Sequence, residues 1–237
     1  IPVYVPAAAV ESASGYGESL ANVFTAFSDM FGAMPQPEMA IAQLPDGTLS
    51  AYSAPGLLLI GKRLWDPKVN YRLLARLAAG QWWGNEVLPA TPNDAWLADG
   101  LARYSEAMYV QQLAGQEGFK KILEECAVGT LAFEGAAPIG QAGRLEPFSS
   151  EYRSVVMNKG AMVFHMLRAQ MGDAAFLELL QAFYRNYAGK AARIEDFQQL
   201  AQQVAEKRPK PEAQAPLNLV PFFTNWVNST GIPEFKL

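Results

Sequence analysis

Apolar positions in the first quarter of the chain fall in short runs, whereas further along they recur with the period of a helix. Residues 3–5, 39–44 and 57–60 are β-prone runs bounded by Pro, Asp-Gly and Gly, which predicts a small sheet at the N-terminal end. Between the first two runs, Leu20, Val23, Phe24, Phe27 and Phe31 share one helical face, so an amphipathic helix is expected to close over that sheet. From about residue 68 the spacing predicts helices over 68–83, 94–113, 116–127, 155–171, 173–187, 193–206 and 218–229. Pro92, Asn93 and Asp94 open the second of these, Gly172 and Asp173 separate two others, and Gly231 stops the last. A small sheet followed by a helical half is an α+β arrangement. The expected division is an N-terminal α/β part over 1–66 and a helical part over 67–237, together one domain.

Segments rich in Gly and Pro punctuate this pattern. Residues 135–147 read as a loop, and residues 207–216 read as an extended, mobile connector before the last helix. Internal repeats are absent. With 237 residues and half the composition hydrophobic, the chain can bury a substantial core. A net charge of −4 and the lack of any Lys/Arg run argue against a nucleic-acid partner. No apolar stretch approaches the roughly 18 to 20 residues needed to cross a bilayer. The start at Ile1 carries neither an initiator Met nor a signal sequence, so a mature chain or an excised domain is expected. One cysteine, Cys126, excludes an internal disulfide and leaves the redox compartment open; its helical, apolar surroundings read as core.

The most informative stretches are R-L-A-A-G-Q-W-W-G-N at 76–85 and W-L-A-D-G-L-A-R-Y-S-E at 96–106. They resemble the zinc-site helices of the aminopeptidase N-like (gluzincin) metallopeptidases, which read H-E-x-x-H-Q-W-W-G-N and W-L-N-E-G-x-A-x-Y-x-E. In that family two histidines at i and i+4 on one helix face and a glutamate of the second helix hold zinc, while the glutamate after the first histidine is the general base. Gln81, Trp82, Trp83, Gly84 and Asn85 fix the register of the first helix, and Trp96, Leu97, Gly100, Ala102, Tyr104 and Glu106 that of the second. In this register the ligand positions hold Arg76, Gly80 and Asp99, and the base position holds Leu77.

Two further family motifs show the same substitution of chemistry within a kept frame. The G-A-M-E-N loop, whose glutamate holds the substrate's amino terminus, aligns through Pro55, Gly56 and Leu57 onto Ser50, Ala51, Tyr52, Ser53 and Ala54, so the amine-binding carboxylate is Ser53. The segment Y-x-S-V-V-Y-Y-K-G-A matches from Tyr152 to Ala161, but its oxyanion-stabilising tyrosine is Met157. A thioether donates no hydrogen bond. Shorter matches extend the resemblance across most of the chain, at Phe31, Gly32 and Pro35, from Met171 to Phe176, from Glu195 to Phe197 and from Phe222 to Trp226.

The resemblance implies a thermolysin-like catalytic-domain fold that has lost its zinc ligands, general base and oxyanion donor. It implies a pseudo-peptidase without zinc, one that binds a peptide or protein in its cleft or serves as a structural module. It also implies an upstream β domain in a longer chain, with an extracytoplasmic compartment favoured. The cleft candidates are Tyr52, Arg76, Asp99, Glu106 and Tyr152. The alternative is an aminopeptidase with an atypical site in which Asp99, Glu106 and Tyr152 carry hydrolysis. In a purely architectural variant Tyr52, Arg76, Leu77 and Met157 fill the cleft; in any of these readings the loop 135–147 is expected to cross it.

Arg76 and Asp99 are expected either to form a bidentate salt bridge in place of the metal or to leave Arg76 in solvent. His165, the single histidine, matches a family position that is not a zinc ligand, and it reads as structural. Trp82, Trp83 and Trp96 read as core rather than as a stacking platform. Gly15-x-Gly17 is too short for a dinucleotide fingerprint, and no EF-hand, G-x-S-x-G or Walker loop occurs.

Overall fold

The computed structural model describes residues 1–48, 50–207 and 217–230. β1 (Val3–Tyr4) leads into the long helix α1 (Val10–Phe31), and β2 (Ala40–Leu44), β3 (Ala51–Ala54) and β4 (Leu57–Gly61) complete a four-stranded sheet. The strand order is β1-β2-β4-β3, with β1, β2 and β4 parallel and β3 antiparallel to β4. The three expected runs are therefore strands. β3, which the apolar pattern did not announce, is supplied by the Pro55-Gly56 turn, in which Gly56 takes φ +71°, the left-handed second position of a type II turn. The expected face of α1 is buried: Leu20, Val23, Phe24, Phe27 and Phe31 all lie in the core.

The helical half begins with α2 (Tyr71–Ala79), whose first turn is capped by Asn70 accepting from the Leu73 N–H at 3.1 Å. β5 (Val87–Pro89) follows and leads to α3 (Trp96–Leu131). Gly115, at φ +65°, interrupts the helical geometry of α3 and turns it back on itself. The reversal brings Glu125 to Arg103 and Phe119 to Tyr104, so the two helices expected over 94–113 and 116–127 are both present, as arms of one hairpin.

A continuous helix then starts as the single turn α4 (Ser150–Tyr152), widens into a π-helix over Arg153–Lys159 and continues as α5 (Gly160–Met171). It is longer at its N-terminus than the period predicted, because the Ser149 hydroxyl caps it by accepting from the Tyr152 N–H. Next come α6 (Asp173–Tyr187), β6 (Lys190–Ala192), α7 (Ile194–Glu206) and α8 (Val220–Trp226); β6 pairs in parallel with β5. The connector expected over 207–216, save Lys207, and the stop at Gly231 lie outside the described residues.

Helix contacts centre on α3. An ideal Cβ at Gly100 would stand 3.1 Å from the Val156 carbonyl oxygen and 3.3 Å from the Gly160 Cα, so this glycine lets α3 meet the π-helix and α5 almost backbone to backbone. Trp82 and Trp83 are enclosed by Phe24, Phe27, Phe31 and Phe183, and Trp96 stacks on Phe164 at 4.6 Å. They are core residues. Residues 135–147 are not wholly loop: Ile139–Arg144 forms 3-10 turns, tied to Asn93 through the Gly143 N–H and to Val227 through the Gly140 N–H. The result is an α+β domain in which the sheet edge β3, the end of α2 and the start of α3 converge.

Candidate functional site

On α2, Leu73, Leu74, Leu77 and Ala78 face the core, which leaves Arg72 and Arg76, four residues apart, on the opposite face. On the first arm of α3, Asp99, Arg103 and Glu106 share a face at spacings of four and three. The Glu106 side chain is 2% exposed and is the hub of this region. It accepts from Arg72 Nε at 2.9 Å, from Arg103 Nη1 at 2.6 Å and from Arg76 Nη1 at 3.4 Å. Glu125, brought in by the hairpin, accepts from both Nη atoms of Arg72 and lies 3.6 Å from Arg103. The Arg72 hydrogen bonds hold the Glu125 carboxyl below the usual carboxylate range.

The expected Arg76–Asp99 salt bridge is not formed. Asp99 instead accepts a 2.6 Å hydrogen bond from the Tyr152 hydroxyl, and Arg76 turns to Glu106. Glu106 lies closer to the Arg72 and Arg103 guanidiniums that already fix its position, whereas the Asp99 carboxylate is claimed by a phenol from α4. An ionic cross-link between α2 and α3 exists, but through Glu106. Nor does Arg76 simply leave for solvent; its side chain is 32% exposed.

Burial pushes the Asp99 carboxyl up from its ordinary value, against the Tyr152 hydrogen bond and the Arg76 charge. A raised carboxyl contributes stability below the unfolded value, near 3.9, and loses it as pH rises through the folded value. Asp99→Asn removes that loss while its amide oxygen still accepts from Tyr152. The variant's melting temperature is therefore expected to gain on the wild type's as pH rises from about 4 until the folded Asp99 has ionised, and a difference independent of pH would contradict this.

Below the end of α2, Gln81 is fully buried and clamps the β3–β4 turn. It accepts from the Gly56 N–H at 3.0 Å and donates to Ser53 Oγ at 2.8 Å and to the Ala54 carbonyl at 2.9 Å. Asn85 Nδ2 lies 3.3 Å from the same Ser53 oxygen. This clamp presses β3 onto Gly80: an ideal Cβ there would stand 2.9 Å from Ser53 Oγ and 3.0 Å from Ser53 Cβ.

Arg76, Asp99, Glu106 and Tyr152 are thus brought into one hydrogen-bonded region, and Gly80 and Ser53 meet one turn further along α2. Met157, half-buried, follows Tyr152 by one wide turn of the π-helix. Leu77 is in the core. Tyr52, by contrast, is 46% exposed on β3 and fills nothing. Sequence reasoning missed Arg72, Arg103 and Glu125. Their i,i+4 and i,i+3 partners were visible, but the fold-back at Gly115 that delivers Glu125 was not.

The remaining titratable candidates are structural. His165 Nδ1 lies 3.3 Å from the Tyr104 hydroxyl and its ring packs edge-on to Phe119, while burial lowers its pKa. Cys126 is fully buried, and burial pushes its thiol up, away from reactivity. Among the described residues no helix is long and apolar enough to cross a membrane.

Comparison with known proteins matches this frame. The chain is 25% identical over 177 residues to human endoplasmic reticulum aminopeptidase 2, covering 68% of this chain and 18% of that protein. It is 24% identical over 226 residues to aminopeptidase M1-D of Oryza sativa subsp. japonica, covering 90% and 24%. The chain thus spans about a quarter or less of the length of these curated relatives. Among solved structures, the M1 zinc metallopeptidase from Deinococcus radiodurans superposes with a TM-score of 0.69 at 22% identity, over 91% of this chain and 45% of that one. Native yeast LTA4 hydrolase superposes with a TM-score of 0.79 at 15% identity, over 99% and 38%. The peptidase family M1 domain matches residues 66–226, which run from just before α2 to the end of α8 and include both helices of the Arg–Glu network. With sequence match and fold in agreement over that span, this chain belongs to peptidase family M1.

Proposed function

We propose that this domain is a metal-free pseudo-peptidase that binds a peptide without cleaving it. The observation that carries the reading is the closure of the second ligand position. Gly80 offers no donor, and Ser53, held by Gln81 and Asn85, occupies the space into which a side chain would grow. Zinc does not fit the remaining groups. Arg76 is a cation with no lone pair to give, and the Asp99 carboxylate serves Tyr152. Among the described residues no three His, Cys, Asp or Glu side chains gather closely enough to hold a metal ion.

Unassisted hydrolysis is also poorly served. Glu106 would have to act as base, yet its carboxylate is buried under three guanidiniums. Tyr152 donates its hydrogen bond to Asp99 rather than to a substrate, and Met157 cannot stabilise an oxyanion. What remains is a binding surface: β3 is an edge strand of the sheet, free on one side among the described residues to take an extended peptide, with Tyr52 standing out from it.

The test is turnover of fluorogenic aminoacyl amides with alanyl, leucyl and arginyl groups, with and without added zinc. The expected result is release no faster than in buffer. Turnover that is abolished by a chelator would overturn the reading and assign the chain to the active aminopeptidases of its family.

A further inference from the structure

We infer that Phe148 is a ligand-contact residue at the mouth of the cleft, an aromatic ring held out to grip an aromatic side chain of the bound peptide. The inference rests on the binding reading above and names the side-chain class that the site selects.

The ring stands where the fold gives it no use. Phe148 is 71% exposed and does not pack against the core, whereas Leu145, three residues earlier, does. An apolar residue just before a helix cap commonly packs on the fourth residue of that helix. Here Ser149 is the cap and the fourth residue is Arg153, which is charged and exposed, so the ring has no such partner.

The backbone opposes the ring as well. The Ser149 N–H donates to the Glu146 carbonyl at 3.1 Å and closes a turn whose two central residues are Pro147 and Phe148. Phe148 has φ +66° and is the one non-glycine residue with a positive φ among the described residues. With a proline ahead of it, whose ring fixes φ near about −65°, this is the type II pattern, which favours Gly or Asn at the second central position. A bulky side chain there is strained, and strain of this kind collects at sites that hold ligands.

Position in the chain supplies the occupant. Four residues after Phe148, in the first turn of the helix that Ser149 caps, the half-buried Tyr152 reaches Asp99 in the candidate site. The exposed ring therefore marks the outer end of a wall whose inner end is Tyr152. An extended ligand gains about 3.3 Å per residue, so one lying beside Tyr152 needs only a few residues to come level with the ring. A second ring gains there by offset or edge-to-face stacking in addition to the apolar area it buries.

The test is isothermal titration calorimetry of the full chain with unlabelled peptides. The parent is an acetylated hexapeptide amide of alternating alanine and glutamine; one set carries phenylalanine at each position in turn, and a second set carries lysine. At least one phenylalanine peptide is expected to bind about fivefold or more tighter than the parent. Phe148→Tyr is expected to keep that gain and Phe148→Gly to lose it, while Phe148→Gly raises the melting temperature by a few degrees because glycine relieves the turn. A residue serving only the fold would lower the melting temperature when removed, so the opposite signs separate the two roles. Equal binding of the parent and all phenylalanine peptides, an equal gain from lysine, or a gain that survives Phe148→Gly would each overturn the inference while leaving peptide binding intact. A Phe148→Gly protein that melts below the wild type would overturn it by giving the ring a part in the fold, and wild-type self-association abolished by Phe148→Gly would overturn it by giving the ring to an interface between copies. If no peptide binds the wild type, the inference and the peptide-binding reading both fall.

Discussion

Replacing Glu106 by Gln is expected to destabilise the domain by about 3–5 kcal/mol, a drop in melting temperature on the order of 10 °C for a chain of this size. The cause is not the loss of three salt bridges counted separately. Glu106 is almost fully enclosed, and a neutral amide there would leave Arg72, Arg76 and Arg103 facing one another, with Glu125 bound to Arg72 and Asp99, hydrogen-bonded by Tyr152, as the acidic groups nearby. Buried charges without a counter-ion dominate the cost, and the exposed partners add little. The same logic makes a double variant informative. Adding Arg103→Leu to Glu106→Gln removes the most buried of the three guanidiniums, so the pair should lose less than the single change. Equilibrium denaturation of the two variants checks both points. A Glu106→Gln protein within about 1 kcal/mol of wild type would mean that water already screens the network.

Gly80→His is expected to cost about 1–3 kcal/mol, and here the sign is the finding. Gly80 has ordinary helical angles, φ −60° and ψ −17°, so propensity alone predicts that any side chain should stabilise it relative to glycine, by up to about 1 kcal/mol. Packing reverses this, because the new Cβ would fall 2.9 Å from Ser53 Oγ and 3.0 Å from the Leu77 carbonyl oxygen. Either β3 moves away from α2, breaking the Gln81 clamp, or the helix end shifts. Ser53→Gly in the same chain removes the obstructing atoms and should recover part of the loss. A stable Gly80→His single variant would show that the strand yields easily, and the second ligand position would then have to be regarded as open.

Much of this was legible in the sequence because its signals are local. The Q-W-W-G-N and W-L-A-D-G frames fix register, and the apolar periods of α6 and α7 find their elements to within a residue, whereas that of α1 marks only the C-terminal half of a helix that starts at Val10. It is the family resemblance of these frames that assigns Arg76, Gly80 and Asp99 to the ligand positions. What spacing could not deliver was partnership. The choice of Arg76 between Asp99, Glu106 and solvent depends on Tyr152 arriving from α4 and on Glu125 arriving through the reversal at Gly115, both contacts between residues distant in the chain. The exposure of Tyr52 was hidden for a similar reason: the parity of an unannounced strand, β3, decides which of its side chains pack inward. The short β3 itself, two alanines, a tyrosine and a serine, has little strand propensity and exists because the Pro55-Gly56 turn folds it back on β4.

The central claim is that the frame of family M1 persists here without a place for its metal. It is tested most directly by the zinc content of the purified protein, measured by elemental mass spectrometry after incubation with excess zinc and desalting. The account predicts a stoichiometry near zero, unchanged in Asp99→Asn. About one zinc per chain, lost in Asp99→Asn, would contradict it, since Arg76 and Gly80 would then have been assigned to ligand positions they do not occupy.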